Sequence, residues 1–223
     1  MAEDIYREWF VRLRFPGHEH VKIEKGVPQG WRATVFSEVC AFEKGRNPAE
    51  LFPEQVDGAL PYLNVETLEK SGTTYAMRAK NAIVCGEDDV LMLMDGARSG
   101  VVFRGVGGIV SSTFALVRTE AHLKHVVYEY LRAGKEAIIS NNTGSAIPHA
   151  NKEFINRMTM FLPVDGALLD GFNKQYETMF RQRQNLARKN ASLIASRDAL
   201  LPRLISGKLS VDALDIRFPP GMV

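Results

Sequence analysis

Two amides, two hydroxyls, an imidazole and an ammonium fall within twelve residues, at Asn141, Asn142, Thr143, Ser145, His149 and Lys152. Groups of this kind hydrogen-bond the base edges and phosphate oxygens of a duplex: Asn pairs with adenine, Arg with guanine, and hydroxyls and ammonium groups hold the backbone. Two shorter stretches offer the same chemistry, Lys44 and Arg46 in a loop at 43–48, and Arg98 with Ser99 in the turn Asp95-Gly96-Ala97-Arg98-Ser99-Gly100. A conformational reading competes with two of the three. Asn-Asn and Gly144 are ordinary turn formers, and Arg98 suits a hairpin tip as a solvated charge.

Catalytic and metal chemistry finds less support. Asp95 beside Gly96 has the form of an acid/base or metal-binding carboxylate, but no second carboxylate or His stands near it in sequence, and a turn-forming Asp is expected. Glu87-Asp88-Asp89 has the charge for a divalent cation, yet three consecutive acids rarely point the same way, and a solvated turn is expected there. Gly105-Val106-Gly107-Gly108 lacks the Lys-Ser/Thr ending of a phosphate loop and no helical pattern follows it, so it reads as a loop. Of the five histidines, only His18 and His20 share metal-like spacing, and both sit in a polar connector. Cys40 and Cys85 lie 45 positions apart outside any CxxC pattern, which predicts core packing rather than a disulfide or zinc site. No catalytic residue, metal or cofactor is expected.

The elements that must carry these groups follow from periodicity. Ile5, Trp9 and Leu13 recur every fourth residue with Tyr6 and Phe10 beside them, which predicts an amphipathic helix ended by Phe15-Pro16-Gly17. A polar connector from 18 to 30 leads into a domain expected to begin near Trp31. Within 31–165, short apolar runs cut by turn residues predict strands at 60–65, 90–94, 101–104, 113–117, 137–140 and 158–162. One helix, at 121–132, carries Leu123, Val126, Val127, Tyr130 and Leu131 on one face and stops at Gly134.

The strongest periodicity comes last. Phe172, Met179, Leu186, Leu193 and Leu200 are each seven residues apart, and Phe180, Ala187, Ile194 and Leu201 repeat that spacing one position later. The run between Phe172 and Leu201 holds no Gly or Pro, so 166–209 reads as a long helix whose apolar seam pairs with another helix. A third series, Tyr176, Arg183, Asn190, Arg197 and Leu204, is polar at its centre. Either it fixes register and partner from within the seam or it faces water beside it. The expected fold class is therefore α+β: a mixed, strand-rich domain followed by a long coiled-coil-forming α-helix. It is framed by an N-terminal helix end and connector at 1–30 and a tail at 210–223.

Composition sets the class. With 223 residues, 45% hydrophobic and 24% charged, the chain has the makeup of a globular protein with its own core, and disordered or collagenous classes are excluded. The opening MAEDIYREWF is acidic where a signal peptide is basic, and no run of eighteen apolar residues occurs, so a cytoplasmic location without membrane contact is expected. The net charge of +2 conceals an asymmetry. Residues 166–209 hold eight Lys/Arg against three acids, a net of +5, while 1–165 hold nineteen against twenty-one, a net of −2. A polyanion partner would require the larger body to gather its cations on one face.

Four stretches, in order, carry a family likeness: IYREWFVRLRFPGHE with GVPQGW, VLMLMDGARSGVVF, SNNTGSAIPHANK, and LLPRLISGKLSV. Together they resemble the DNA-specificity subunits of type I restriction-modification enzymes over about 5–211. The resemblance implies a non-catalytic subunit whose target-recognition domain, here 31–165, binds double-stranded DNA. It also implies a long helix, here 166–209, that docks methyltransferase subunits and, through them, the motor and nuclease subunit. The usual member has two recognition domains separated by two antiparallel helices. This chain shows one of each, which implies either a half-length form acting as a homodimer or with another half, or a fragment whose partner is the missing half. On that basis Lys44, Arg46, Arg98, Ser99, Asn141, Asn142, Thr143, Ser145, His149 and Lys152 are the expected DNA contacts, and Phe172, Met179, Leu186, Leu193 and Leu200 the expected helix-pairing residues. The alternative from another class is a coiled-coil adaptor whose globular domain binds protein, a reading favoured by the −2 body and opposed by the polar loops.

Overall fold

A strand covered on both faces must be apolar at every position, and 90–94 meets that demand: Val90, Leu91, Met92, Leu93 and Met94 are all buried. Around this strand the computed structural model, which describes residues 2–209, builds a six-stranded sheet; the expected tail at 210–223 lies outside the described residues. Two compact units result, one through Lys174 and the other from Gln175.

Along the chain, α1 (Ala2–Tyr6) continues as a π-helical turn (Arg7–Val11), and the connector forms the small hairpin of β1 (Ile23–Glu24) and β2 (Val27–Pro28). Then come β3 (Trp31–Val35), α2 (Phe36–Val39), β4 (Cys40–Lys44), β5 (Ala59–Leu63), α3 (Val65–Leu68), β6 (Thr74–Met77), β7 (Val84–Leu93), β8 (Val102–Val110) and β9 (Phe114–Thr119). They are followed by α4 (Lys124–Ala133), α5 (Lys135–Ser140), α6 (Lys152–Arg157), β10 (Thr159–Pro163) and α7 (Gly166–Ile205). The large sheet has the order β4-β9-β7-β8-β5-β6, antiparallel throughout except for the parallel pair β5/β8, and β3 pairs with β10 in a separate antiparallel ribbon. Leu63, Cys85, Leu91, Leu93, Val110, Phe114 and Leu116 form the main core cluster. Burial pushes the Cys40 and Cys85 thiols up to about 12 and about 11, so both stay protonated core groups, unpaired with each other.

Several local expectations are corrected. Gly105-Val106-Gly107-Gly108 is not a loop but part of β8, because neighbouring backbones approach too closely for a side chain. A Cβ on Gly105 would lie 2.5 Å from the Gly86 carbonyl oxygen, and one on Gly108, at φ +152°, would lie 2.3 Å from that of Pro61. Residues 137–140 form the end of α5 rather than a strand; the short apolar run Ala137-Ile138-Ile139 continues from Gly134 with fully buried Ile138 as its anchor. The strand expected at 60–65 stops at Leu63, since the Asn64 side chain accepts from the Thr67 amide at 2.9 Å and caps α3. Glu87-Asp88-Asp89 is a bulge in β7 rather than a turn: Asp88 has φ 65°, Lys124 pairs with Asp89 at 2.7 Å, and Arg104 donates to the Asp88 carbonyl.

The first unit also takes up the start of α7. Phe172, 1% exposed, lies edge-on to Phe10 with ring centroids 5.0 Å apart and 5.9 Å from Trp9, while Trp31 packs on both Phe10 and Phe15. Phe172 is thus core and is not open to a partner helix, which corrects its place in the pairing series. A second tie joins the N-terminal helix to α4, where Arg132 spans the fully buried Glu129 and Glu3, each at 2.9 Å. In the second unit, by contrast, Leu186, Leu193 and Leu200 are exposed, as are Ile194, Leu201, Leu204 and Ile205. Met179 is half-buried.

Two outcomes follow. Gly108→Ala places a Cβ against the Pro61 carbonyl and should cost about 1–3 kcal/mol in urea denaturation. Burial, with the nearby charges of Arg104 and Lys124, holds the His125 imidazole down at about 4. Above pH 6.5 neither folded nor unfolded chain protonates it. Below that the unfolded chain takes up a proton that the folded one refuses until about pH 4, so stability should fall across that window. The dependence of melting temperature on pH should flatten over the same range in His125→Gln.

Candidate nucleic-acid interface

The buried run that starts in β7 continues one residue past the strand to Met94, and the next residue is Asp95. Two backbone clamps hold the distant segment 143–150 against this exit: the Ala150 amide donates to the Met94 carbonyl at 2.8 Å and the Gly96 amide to the Pro148 carbonyl at 2.9 Å. The segment is itself closed into a loop by reciprocal bonds between Thr143 and His149, at 2.9 and 2.7 Å. Gly144 makes the turn at φ +88°, where a Cβ would strike the Ile147 carbonyl at 2.4 Å. From the other side comes Lys44, the last residue of β4; β9 lies between β4 and β7, so Lys44 and Asp95 meet across its start.

Asp95 joins these pieces. Its Oδ2 accepts from Lys44 Nζ at 2.9 Å and its Oδ1 from His149 Nδ1 at 2.8 Å. Partial burial works to raise the carboxyl, but the hydrogen bonds from Lys44 and His149 outweigh it and hold Asp95 below the usual carboxylate range. The three groups line an open pocket of about 490 Å³ together with Thr143, Asn151, Lys152 and Glu153. Asn151 caps α6, its side chain accepting from the Phe154 amide at 3.1 Å, so Lys152 opens that helix at the pocket's edge. A neighbouring pocket of about 290 Å³ shares Asn151 and Glu153 and adds Asn141 and Arg157. The arrangement offers accept-only carboxylates at Asp95 and Glu153 between cationic rims, a surface suited to a polar, anionic partner with donors of its own.

Of the ten residues singled out in sequence, the structure brings Lys44, Thr143, His149 and Lys152 to one pocket and Asn141 to the next. Ser99 is fully buried and is not presented to any partner: Asn142 donates from Nδ2 to its hydroxyl at 2.8 Å and its carbonyl at 3.0 Å, so these two residues join the turn to the loop. Asn141 likewise returns to its own backbone, donating to the Ala137 carbonyl at 2.8 Å. Arg98 pairs with Glu69 at 2.5 Å beside the Phe103 ring, and neither it nor exposed Arg46 and Ser145 lines the pockets. Lys44 closes a strand rather than sitting in a loop.

Sequence reading passed over Asn151, Glu153 and Arg157 and took Asp95 for a turn former. The expectation that no His supports Asp95 is corrected, because His149 reaches it across 54 positions of sequence, a separation that leaves no local pattern. Among the described residues no group of three His, Cys, Asp or Glu is placed to hold a metal ion, and no helix is long and apolar enough to cross a membrane.

No family model matches the chain. The type I restriction enzyme MjaVIII specificity subunit of Methanocaldococcus jannaschii is 28% identical over 158 residues, 69% of this chain and 37% of the relative. The MjaIX specificity subunit of the same organism is 23% identical over 96% of this chain and 53% of its own. The chain thus spans roughly a third to a half of the length of the curated relatives it matches. In fold it is similar to the S subunit of a type I restriction-modification system from M. genitalium, at a TM-score of 0.59 and 14% identity, over 83% of this chain and 48% of that one. Sequence and fold agree with the motif resemblance: the relatives are type I specificity subunits, and the architecture is a strand-rich α+β domain followed by a long helix.

The joint between turn and loop is open to test. Asn142→Ala removes two hydrogen bonds to Ser99 and leaves a buried hydroxyl and carbonyl without that donor, so it should cost about 1–3 kcal/mol in urea denaturation. Limited proteolysis should speed up within 143–149.

Proposed function

We propose that this chain, a relative of the type I restriction enzyme specificity subunits, is a non-catalytic subunit that reads one half of a bipartite DNA target. One observation carries the reading: in a body of net charge −2, Lys44, Thr143, His149 and Lys152, from segments as far as 108 residues apart, gather on one pocket beside Asn141 and Arg157. Cations and hydroxyls so placed can hold phosphates, while the imidazole of His149 addresses a base edge. Arg46, Arg98 and Ser145, exposed nearby in sequence, are assigned to the outer contacts. The adaptor reading is not favoured, because both curated relatives are specificity subunits.

The long helix has a different task. Leu186, Leu193 and Leu200 form an exposed apolar row. It suits pairing with a second copy or with another half-subunit, and the flanking Arg181, Arg188 and Lys189 suit phosphate or an acidic methyltransferase surface. Through that subunit the chain would join the motor and nuclease. Met179 borders the row, which begins beyond Phe172.

Selection of bound duplexes from a random pool should enrich a sequence motif; absence of any enrichment at low salt would overturn the DNA reading. Lys152→Ala should weaken binding to all sequences alike and flatten the dependence of log K on log salt by about one. Leu186→Glu with Leu193→Glu should convert a dimer to a monomer in light scattering, and an unchanged mass would show that the row is not the interface.

A further inference from the structure

The Asp95–His149 pair fixes more than a position. A carboxylate that already accepts from an ammonium has only acceptor capacity, so the proton in the 2.8 Å contact with His149 must sit on Nδ1. In a neutral imidazole this makes Nε2 an acceptor. The loop that carries the ring is held by backbone bonds. His149 is bonded through both backbone groups to Thr143, the next residue is bonded to Met94, and the ring's Cδ2 lies where a Cβ on Gly144 would come within 3.1 Å. Nε2 makes no hydrogen bond to the described residues, and the side chain is 49% exposed on the pocket.

We infer that His149 is a specificity-determining residue: Asp95 imposes the tautomer in which Nε2 accepts a hydrogen bond from the exocyclic amino group of an adenine or cytosine. The inference rests on the DNA-reading function proposed above and deepens it. In the major groove only adenine N6 and cytosine N4 are donors, while guanine and thymine present acceptor oxygens at the corresponding places. An acceptor at Nε2 therefore selects amino-bearing bases at one position of the target and leaves a guanine or thymine there facing it acceptor to acceptor. Asp95 acts through His149 as a positioning residue, and Lys44 takes part because it holds the other carboxylate oxygen.

Lys44 also makes the test directional. In Asp95→Asn the ammonium of Lys44 retains the amide oxygen, which turns the NH2 toward His149 Nδ1. That nitrogen becomes an acceptor and the proton moves to Nε2, now an outward donor. Pool selection with the full chain should yield a wild-type motif with one position held to adenine or cytosine by about tenfold. Asp95→Asn should move that position to guanine or thymine with the rest of the motif retained. His149→Leu should lose preference there alone, and Asp95→Glu should keep the wild-type base. If Asp95→Asn does not fold, as judged by circular dichroism, His149→Leu decides the matter. A motif unchanged at every position in His149→Leu, or in a folded Asp95→Asn, overturns the inference while leaving the DNA reading intact. A wild-type chain that enriches nothing overturns the DNA reading and the inference with it.

Discussion

Everything in the first unit is arranged around a five-residue run, Val90 to Met94, that has no wet side. Because Val90 to Met94 are buried on both faces, β7 must lie between two other strands and beneath covering layers, and its neighbours must come close along its whole length. Glycines at 105 and 108 let β8 approach Gly86 of β7 and Pro61 of β5, where any side chain would overlap a neighbouring carbonyl. The same constraint places the site. This apolar half of β7 can present chemistry only past its end, and Asp95 is the first ionisable group after five buried residues. The pocket is therefore built at a strand exit by segments brought in from elsewhere.

Those segments are held chiefly by backbone. Met94, Gly96, Thr143, Pro148, His149 and Ala150 make the clamps with main-chain groups, so the loop's path does not depend on the side chains that it displays. The side-chain bonds that do matter structurally, from Asn142 to Ser99 and from Lys44 and His149 to Asp95, each use a partly or fully buried partner. Solvent-exposed ion pairs such as Arg98–Glu69 add little by comparison. Electrostatics here is local. A unit with a net negative charge collects lysines, a histidine and, in the adjoining pocket, an arginine around two acids, Asp95 and Glu153.

How much of this was legible beforehand depended on range. Patterns confined to one element were read well: the helix ended at Gly134, the hairpin residues between β7 and β8, the strand cores at 90–93 and 159–162, and the long terminal helix. Short runs whose state is decided by distant neighbours were not. Ala137-Ile138-Ile139 has strand-like composition, yet buried Ile138 anchors it in a helix, and the glycines of β8 resemble a loop until the approach of β5 and β7 is known. In the site, the polar loop was found because its residues cluster in sequence. Asp95 was discounted because its two partners lie 51 and 54 residues away. Phe172 fitted the heptad arithmetic, and only tertiary packing assigns it to the aromatic cluster with Trp9 and Phe10.

The closed loop at 143–149 divides its residues by obligation. Thr143, Pro148 and His149 are committed to the clamps, and Gly144 to a turn that admits no Cβ. Ser145, Ala146 and Ile147 are exposed, and Ser145 and Ala146 take no part in closure beyond spanning it, Ile147 contributing only its carbonyl beneath Gly144. Side chains at these three positions can be exchanged without cost to the scaffold. A lineage can therefore drift in what this surface meets while its fold stays constant, and a library randomised at the three positions would search new partners with the stability of the parent.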